Sequence, residues 1–428
     1  MELLEATYRA RTPGSAQRQG RAEAVMPGGD TRTTTYHPPY PLTMAGGEGP
    51  YLTDVDGNRY VDLIGNYTSL VHGNAYPPIV DAARRQLERG TAWPARNDAQ
   101  IELAELLAER VPAVEQVRFC NSGTEATMLC AYIARAVTGR RKVLMARYGY
   151  HGSLEEFEVG TLGHGGPETL LARYGDAADF ARVLDERGAE IACVILEPVM
   201  GSGGLQSPPP GVLAAIASAT RDAGALFVLD EVITLRLATG GAQQLEGVTP
   251  DLCAMGKIIG GGFPVGAVGG RADLLAVTDP RQLRLLHSGT FNGNPVSAAA
   301  GVVSLQELTA ERIVTMDHQA ARLARRLETE AARVGLPFCV RQVGSLLQCF
   351  FTQLAPEANL VRTDAQLATA FHLAALNEGV FMAGRGLMAL STVMDDALID
   401  DVVNRLSAAL DAMVEPAAHV TTATVGVS

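Results

Sequence analysis

The sequence of 428 residues and 45.1 kDa is long enough for two domains with substantial cores. Hydrophobic residues make up 47% and charged ones 19%, ordinary globular proportions that exclude an intrinsically disordered chain. A formal charge of -12 and a pI near 5.2 argue against nucleic acid or an anionic membrane as partner.

The chain opens Met1-Glu2-Leu3-Leu4-Glu5 without the basic end and apolar stretch of a signal peptide. No apolar run reaches membrane-spanning length, so a cytoplasmic protein is expected. An N-terminal arm leads to a hairpin-like pair, 51–54 and 59–62, joined through Asp56-Gly57. Asp98 can cap a helix on which Leu103, Leu106, Leu107 and Val111 share a face. From there strands (117–121, 142–146, 191–197, 226–232) alternate with helices (123–137, 212–223). That rhythm predicts an α/β fold, a mostly parallel sheet with helices on both faces and ligands at the carboxyl ends of the strands. Polar helical sequence from about 304 to 330 leads into a smaller C-terminal domain, and the Ala-, Thr- and Val-rich tail from about Pro416 is expected to fray. Six cysteines (Cys120, Cys130, Cys193, Cys253, Cys339, Cys349) show no metal-ligand spacing, and the eight histidines form no HExxH pattern. No metal site or disulfide framework is expected, and Cys193 and Cys349 read as small core hydrophobes.

Chemistry collects at the strand ends. Asp230-Glu231-Val232 ends the apolar run Leu226-Phe227-Val228-Leu229, and Lys257 stands before Ile258-Ile259-Gly260-Gly261-Gly262. A buried amine and a buried carboxylate, each on a strand end, are what pyridoxal 5′-phosphate (PLP) chemistry requires. Lys257 would form the Schiff base and carry the proton, while Asp230 would keep the pyridine nitrogen protonated. Alone, the pair is weak, because acids end many parallel strands and lysines beside glycines are common. Three segments add specificity. Ser122-Gly123-Thr124 sits at a helix start, where free N–H groups and the dipole suit a phosphate. Tyr148-Gly149-Tyr150-His151-Gly152 offers an aromatic to stack on the ring, with Val232 pressing its opposite face. His287-Ser288-Gly289-Thr290 adds a hydroxyl. His151 reads equally as a cofactor contact or a turn histidine, and Glu197 as a direct or a supporting residue. Glu231 also stays open between a supporting and a direct contact. Gly260–Gly262 matches neither the GxxxxGK(S/T) loop nor a GxGxxG turn before a helix, the two nucleotide-loop patterns.

With these segments, together with Gly46-Gly47-Glu48-Gly49, Asp54-Val55-Asp56-Gly57 and Glu197-Pro198, the chain from about Arg21 to about Leu406 resembles the class III (ω-type) aminotransferases of PLP fold type I. Within them it is most similar to the group of glutamate-1-semialdehyde 2,1-aminomutases and β-amino-acid (β-phenylalanine) aminotransferases. The resemblance implies an N-terminal arm with part of the small domain (1–60), a large PLP-binding domain with a seven-stranded-type sheet (61–303) and an α+β small domain (304–428). It also implies an obligate homodimer, in which Thr290 reaches the neighbouring subunit's cofactor phosphate.

The substrate reading follows from the same likeness. A bidentate arginine suits a carboxylate. Arg32 matches an arm position that binds substrate carboxylate in the resembling enzymes, and Arg385 stands where β-amino-acid aminotransferases carry a second arginine and the aminomutases do not. Arg236 is a third candidate, read equally as a solvated surface group. The stretch between Gly152 and Arg173 is shorter than the aminomutases' lid, and the segment after Val232 is one residue shorter. A mutase must retain its intermediate, whereas an aminotransferase must release a keto product. The expectation is an aminotransferase moving the amino group of a β-amino acid to a keto acid such as 2-oxoglutarate or pyruvate. An aminomutase and a catalytically silent PLP-fold binding module are the alternatives.

Overall fold

The computed structural model describes residues 1–157, 166–282, 284–353 and 363–420, with side chains through 414. The shortened stretch after Gly152 therefore lies partly outside the described residues, as does the end of the tail. The chain divides into one unit of residues 68–71 and 77–313 and another of 1–67, 72–76 and 314–428.

The first unit is built on a seven-stranded sheet. Its strands are β4 (Gln116–Cys120), β5 (Lys142–Ala146), β6 (Thr169–Ala172), β7 (Ile191–Leu196), β8 (Leu226–Asp230), β9 (Leu252–Gly256) and β10 (Gly266–Gly270). In the order β4-β10-β9-β8-β7-β5-β6, the run from β9 to β6 is parallel, and β10 runs against both of its neighbours. The apolar strands are buried on both faces, as parallel strands must be. Cys193 and Ile195 pack on one side with Leu129, Cys130 and Ile133 of the helix Gly123–Thr138. Val194 and Leu196 alternate to the other side, with Phe180 and Leu184 of the helix Ala177–Arg187 and Ile216 of Val212–Asp222. The expected strands form to within a residue or two at their ends, as do the helices Gly123–Thr138 and Val212–Asp222. Asn97 rather than Asp98 caps the helix Asp98–Arg110, accepting from Gln100 N at 2.8 Å. The helical stretch expected from about 304 to 330 is divided between Pro295–Glu307 and Ala310–Arg333. β6, the helix Ala177–Arg187 and β10 lie outside the elements the sequence predicts, and β10, with the sequence Gly-Ala-Val-Gly-Gly, lacks a strand's usual side chains. Its glycine is required: a Cβ on Gly266 would come 2.0 Å from the carbonyl oxygen of Ser122.

The second unit holds two small sheets. One orders β1 (Met44–Glu48), β2 (Tyr51–Asp54), β3 (Arg59–Asp62) and β13 (Val380–Phe381), and includes the expected hairpin. The other orders β11 (Phe338–Val343), β12 (Leu346–Phe351) and β14 (Leu387–Ala389). Asp54 fixes the hairpin turn by accepting from the backbone N–H groups of Asp56 and Asn58 and from the Tyr60 hydroxyl at 2.8 Å. One core, including Leu323, Leu327, Phe371, Val402 and Leu406, joins the helices Ala310–Arg333, Ala365–Asn377 and Asp396–Val420 to these sheets. Cys193 and Cys349 are buried in the cores of their respective units.

Candidate active site

Five site segments of the first unit leave the same edge of its sheet, because β4, β5, β7, β8 and β9 share a direction. Ser122 follows β4, Tyr150 and His151 follow β5, Glu197 follows β7, Asp230 ends β8, and Lys257 follows β9. This is the edge at which open α/β sheets bind ligands.

Ser122 caps the helix Gly123–Thr138, its Oγ accepting from Glu125 N at 3.1 Å. Glu125 reaches back to Asn121 N at 2.8 Å, so the turn is fixed from both sides. The N–H groups of Gly123 and Thr124 open the helix, where the ladder supplies no partner and the dipole is positive. A side chain on Gly123 would meet Val232 Cγ1 at 2.9 Å, and one on Gly256 would meet Val232 Cγ1 and Gly123 Cα, each at 3.5 Å. The turn at Ser122-Gly123-Thr124, Val232 and the residue before Lys257 are thus in mutual contact.

Asp230 is buried, and both of its oxygens are engaged. Nδ1 of His151 donates to Oδ2 at 2.9 Å, and Val232 N donates to Oδ1 at 3.0 Å. His151 is itself buried, edge-on to Phe157, and its carbonyl accepts from the Thr127 hydroxyl at 2.5 Å. His151 is thus a buried histidine that fixes the Asp230 carboxylate. Its Nε2 has no partner among the described residues. Glu197 is a supporting residue in geometry: its oxygens accept from Tyr150 N at 3.2 Å and Gly201 N at 3.0 Å, pinning the loops after β5 and β7. Glu231 turns away from this cluster. Its carboxylate accepts from Thr234, from Ala242 N at 3.0 Å and from Gln243 N at 2.7 Å, capping a neighbouring turn.

Burial pushes the Glu197 carboxyl up to about 7, with Asp230 adding to the rise and His151 opposing it. A carboxyl raised in the folded state stabilises the fold fully below its unfolded value of 4.5 and loses that contribution as pH climbs through about 7. The loss is on the order of 3 kcal/mol at most. The cofactor-free protein should therefore melt at lower temperature at pH 8 than at pH 6, and Glu197→Gln should flatten that slope. Equal slopes in calorimetric scans across this range would remove Glu197 as the group responsible.

Lys257 begins a tight turn with φ +51, a conformation that L residues rarely hold and that is found where a site demands it. Its neighbours Ile258 and Ile259 are buried, while Lys257 itself is half-buried. Tyr150 is 45% exposed, its ring free to meet a ligand. Thr290 lies on an exposed segment between Leu286 and Phe291, which are 80% and 60% exposed. That segment is tied down by Arg118, which donates to the His287 carbonyl at 3.0 Å, and by Asn121 Nδ2, which donates to Asn292 Oδ1 at 2.9 Å. Asn121, Thr127 and Gly266 shape the site without having been singled out in the sequence, since each acts through a partner distant along the chain.

Arg32 and Arg385 belong to the other unit. Arg32 is exposed, donates to Asn66 Oδ1 at 2.8 Å and has its guanidinium carbon 5.7 Å from the Tyr67 ring centroid. Arg385 is exposed at a tight turn closed by Gly386 N donating to the Ala383 carbonyl at 2.8 Å. Arg236 is not a solvated group: only 1% exposed, it donates to the Thr68 carbonyl at 3.4 Å.

The sequence profile of the family described as Aminotransferase class-III matches residues 33–410. The chain belongs to the class III aminotransferases. This aminotransferase is 38% identical over 416 residues to a β-phenylalanine transaminase of Variovorax paradoxus, covering 94% of each chain. It is 41% identical over 411 residues to a glutamate-1-semialdehyde 2,1-aminomutase of Desulforudis audaxviator, covering 90% of this chain and 95% of that one. A transaminase solved with PLP bound superposes with a TM-score of 0.89 at 32% identity, over 95% of this chain and 99% of that one. The protein is a PLP-dependent enzyme of fold type I. The residues present fit the cofactor: a lysine and a buried, oriented carboxylate on adjacent strand ends, and a side-chain-free Gly123 against Val232 at a helix start. Among the described residues no helix is long and apolar enough to cross a membrane.

Proposed function

We propose that this aminotransferase takes its amino group from a β-amino acid and passes it to a keto acid such as 2-oxoglutarate or pyruvate, acting in the cytoplasm as a homodimer with shared sites. The observation that carries the donor assignment is Arg32, a guanidinium held by an amide and a ring and in no ion pair among the described residues. Such a group is prepared for an external carboxylate. Arg385, on its exposed turn, is assigned to the acceptor's carboxylates.

Bound PLP supplies the electron sink that makes a proton on the amine-bearing carbon removable. Lys257 holds the cofactor and moves that proton through Nζ. Asp230, fixed by His151 and Val232 N, holds positive charge at the ring nitrogen. Ser122, Gly123 and Thr124 would bind the phosphate, with Thr290 of the partner subunit contributing, and Tyr150 and Val232 would hold the ring. Glu197 keeps the Tyr150 loop in place.

A panel of α-, β- and ω-amino donors assayed with 2-oxoglutarate and with pyruvate tests this reading. The β-donors should give the highest kcat/KM, because an anchor set for their carboxylate misplaces an α-donor, at a cost of about 10²-fold. A clear α-donor preference would overturn the substrate class. The 41% likeness to an aminomutase keeps an intramolecular shift as the second reading, and turnover without any keto acid would favour it.

A further inference from the structure

We propose that the left-handed turn Gly65–Thr68 tunes the affinity for the donor by holding Arg32 on uncharged partners, with Asn66 and Tyr67 as positioning residues. This deepens the reading above and rests on Arg32 being the carboxylate anchor.

The turn is unusual. Gly65, Asn66, Tyr67 and Thr68 have φ of 52, 47, 54 and 76, and only the first is glycine. Left-handed backbone crowds the Cβ of an L residue against the following carbonyl, and asparagine tolerates it best among non-glycine residues. A run of such residues persists only where the surroundings hold it, and such strain gathers at binding sites. Here the conformation brings two sequence neighbours onto one guanidinium. Asn66 Oδ1 accepts from Arg32 Nη1 at 2.8 Å, while the Tyr67 ring lies 5.7 Å from its central carbon. The Tyr67 hydroxyl donates to the Thr34 carbonyl at 2.6 Å, two residues beyond Arg32, so the same side chain ties down the arm.

The arm's own acid is spent elsewhere. Oδ1 of Asp30 accepts from Thr31 N at 2.6 Å and Arg32 N at 3.3 Å, and Oδ2 accepts from the Thr35 hydroxyl at 2.5 Å. Asp30 therefore shapes the backbone around Arg32 without pairing with its guanidinium. An amide acceptor orients that guanidinium and leaves its charge in place. A carboxylate at position 66 would neutralise it and would have to be displaced by every incoming donor.

The test compares Arg32→Ala, Asn66→Asp and Asn66→Gly in the holoenzyme, measuring KM and kcat for β-phenylalanine at saturating 2-oxoglutarate. Asp and Gly both tolerate the left-handed region, and a thermal melt confirms that each variant folds. Asn66→Asp is isosteric and should raise the donor KM by about 5-fold, the scale of an exposed ion pair, with kcat nearly unchanged. Asn66→Gly should raise KM less, because orientation is lost and charge is not. An unchanged KM in Asn66→Asp, or a fall in kcat with KM constant, overturns the proposal. If that happens while Arg32→Ala still raises KM, the anchor reading survives. If Arg32→Ala leaves KM unchanged, the anchor reading falls and the proposal falls with it.

Discussion

Lys257→Ala should keep the fold and still bind the cofactor through its phosphate, yet lose turnover by about 10⁴-fold or more. The residues we assign to the phosphate, Ser122, Gly123 and Thr124, sit on a turn fixed by Glu125 and independent of the lysine. Alanine at this left-handed position inherits the same backbone strain as lysine, and the side chain is half-buried, so little stability is at stake. What disappears is the amine that holds the cofactor and carries the proton. Purified variant should show an unchanged melting profile, loosely held PLP that dialysis removes, and no measurable product. Near-native kcat would remove Lys257 from the centre of the mechanism.

Asp230→Asn should slow the donor half-reaction by roughly 10²–10⁴-fold with the cofactor still bound. The carboxylate receives His151 Nδ1–H on one oxygen and Val232 N–H on the other. An asparagine can accept only one of these bonds and turns its NH₂ toward the other donor. Buried mismatch of this kind costs about 1–3 kcal/mol of stability, which a melt would register. The larger effect is chemical, since a neutral amide cannot hold positive charge at the ring nitrogen. Single-turnover mixing with a saturating donor isolates this step from acceptor binding, and an unchanged rate would refute the role given to Asp230.

The parts of the site legible in the sequence were those written locally. The apolar run Leu226–Leu229 and the glycines after Lys257 announce a strand end and a tight turn, and Ser122-Gly123-Thr124 carries a helix cap in its residue types. β10 was illegible because a Gly-rich strand owes its place to close backbone approach at Ser122, which no periodicity records. The bond from His151 to Asp230 joins residues 79 positions apart, so the sequence could offer each residue but not the pair. Glu231, adjacent to Asp230, turns to another cap because successive side chains at a strand end point to opposite sides. The left-handed turn beneath Arg32 has Gly65 and Asn66 to announce it, while Tyr67 and Thr68 carry no signal for positive φ. Arg236 is buried by its surroundings, where the sequence left a solvated group and a functional role equally open.

The most direct test of transfer from a β-amino acid is to mix holoenzyme with β-phenylalanine in the absence of any keto acid and quantify the products. The account predicts about one equivalent of 3-keto product released per active site, after which the reaction stops until 2-oxoglutarate or pyruvate is added. No release from β-phenylalanine while an α-amino acid releases its keto acid, or continued turnover with no acceptor present, would contradict it.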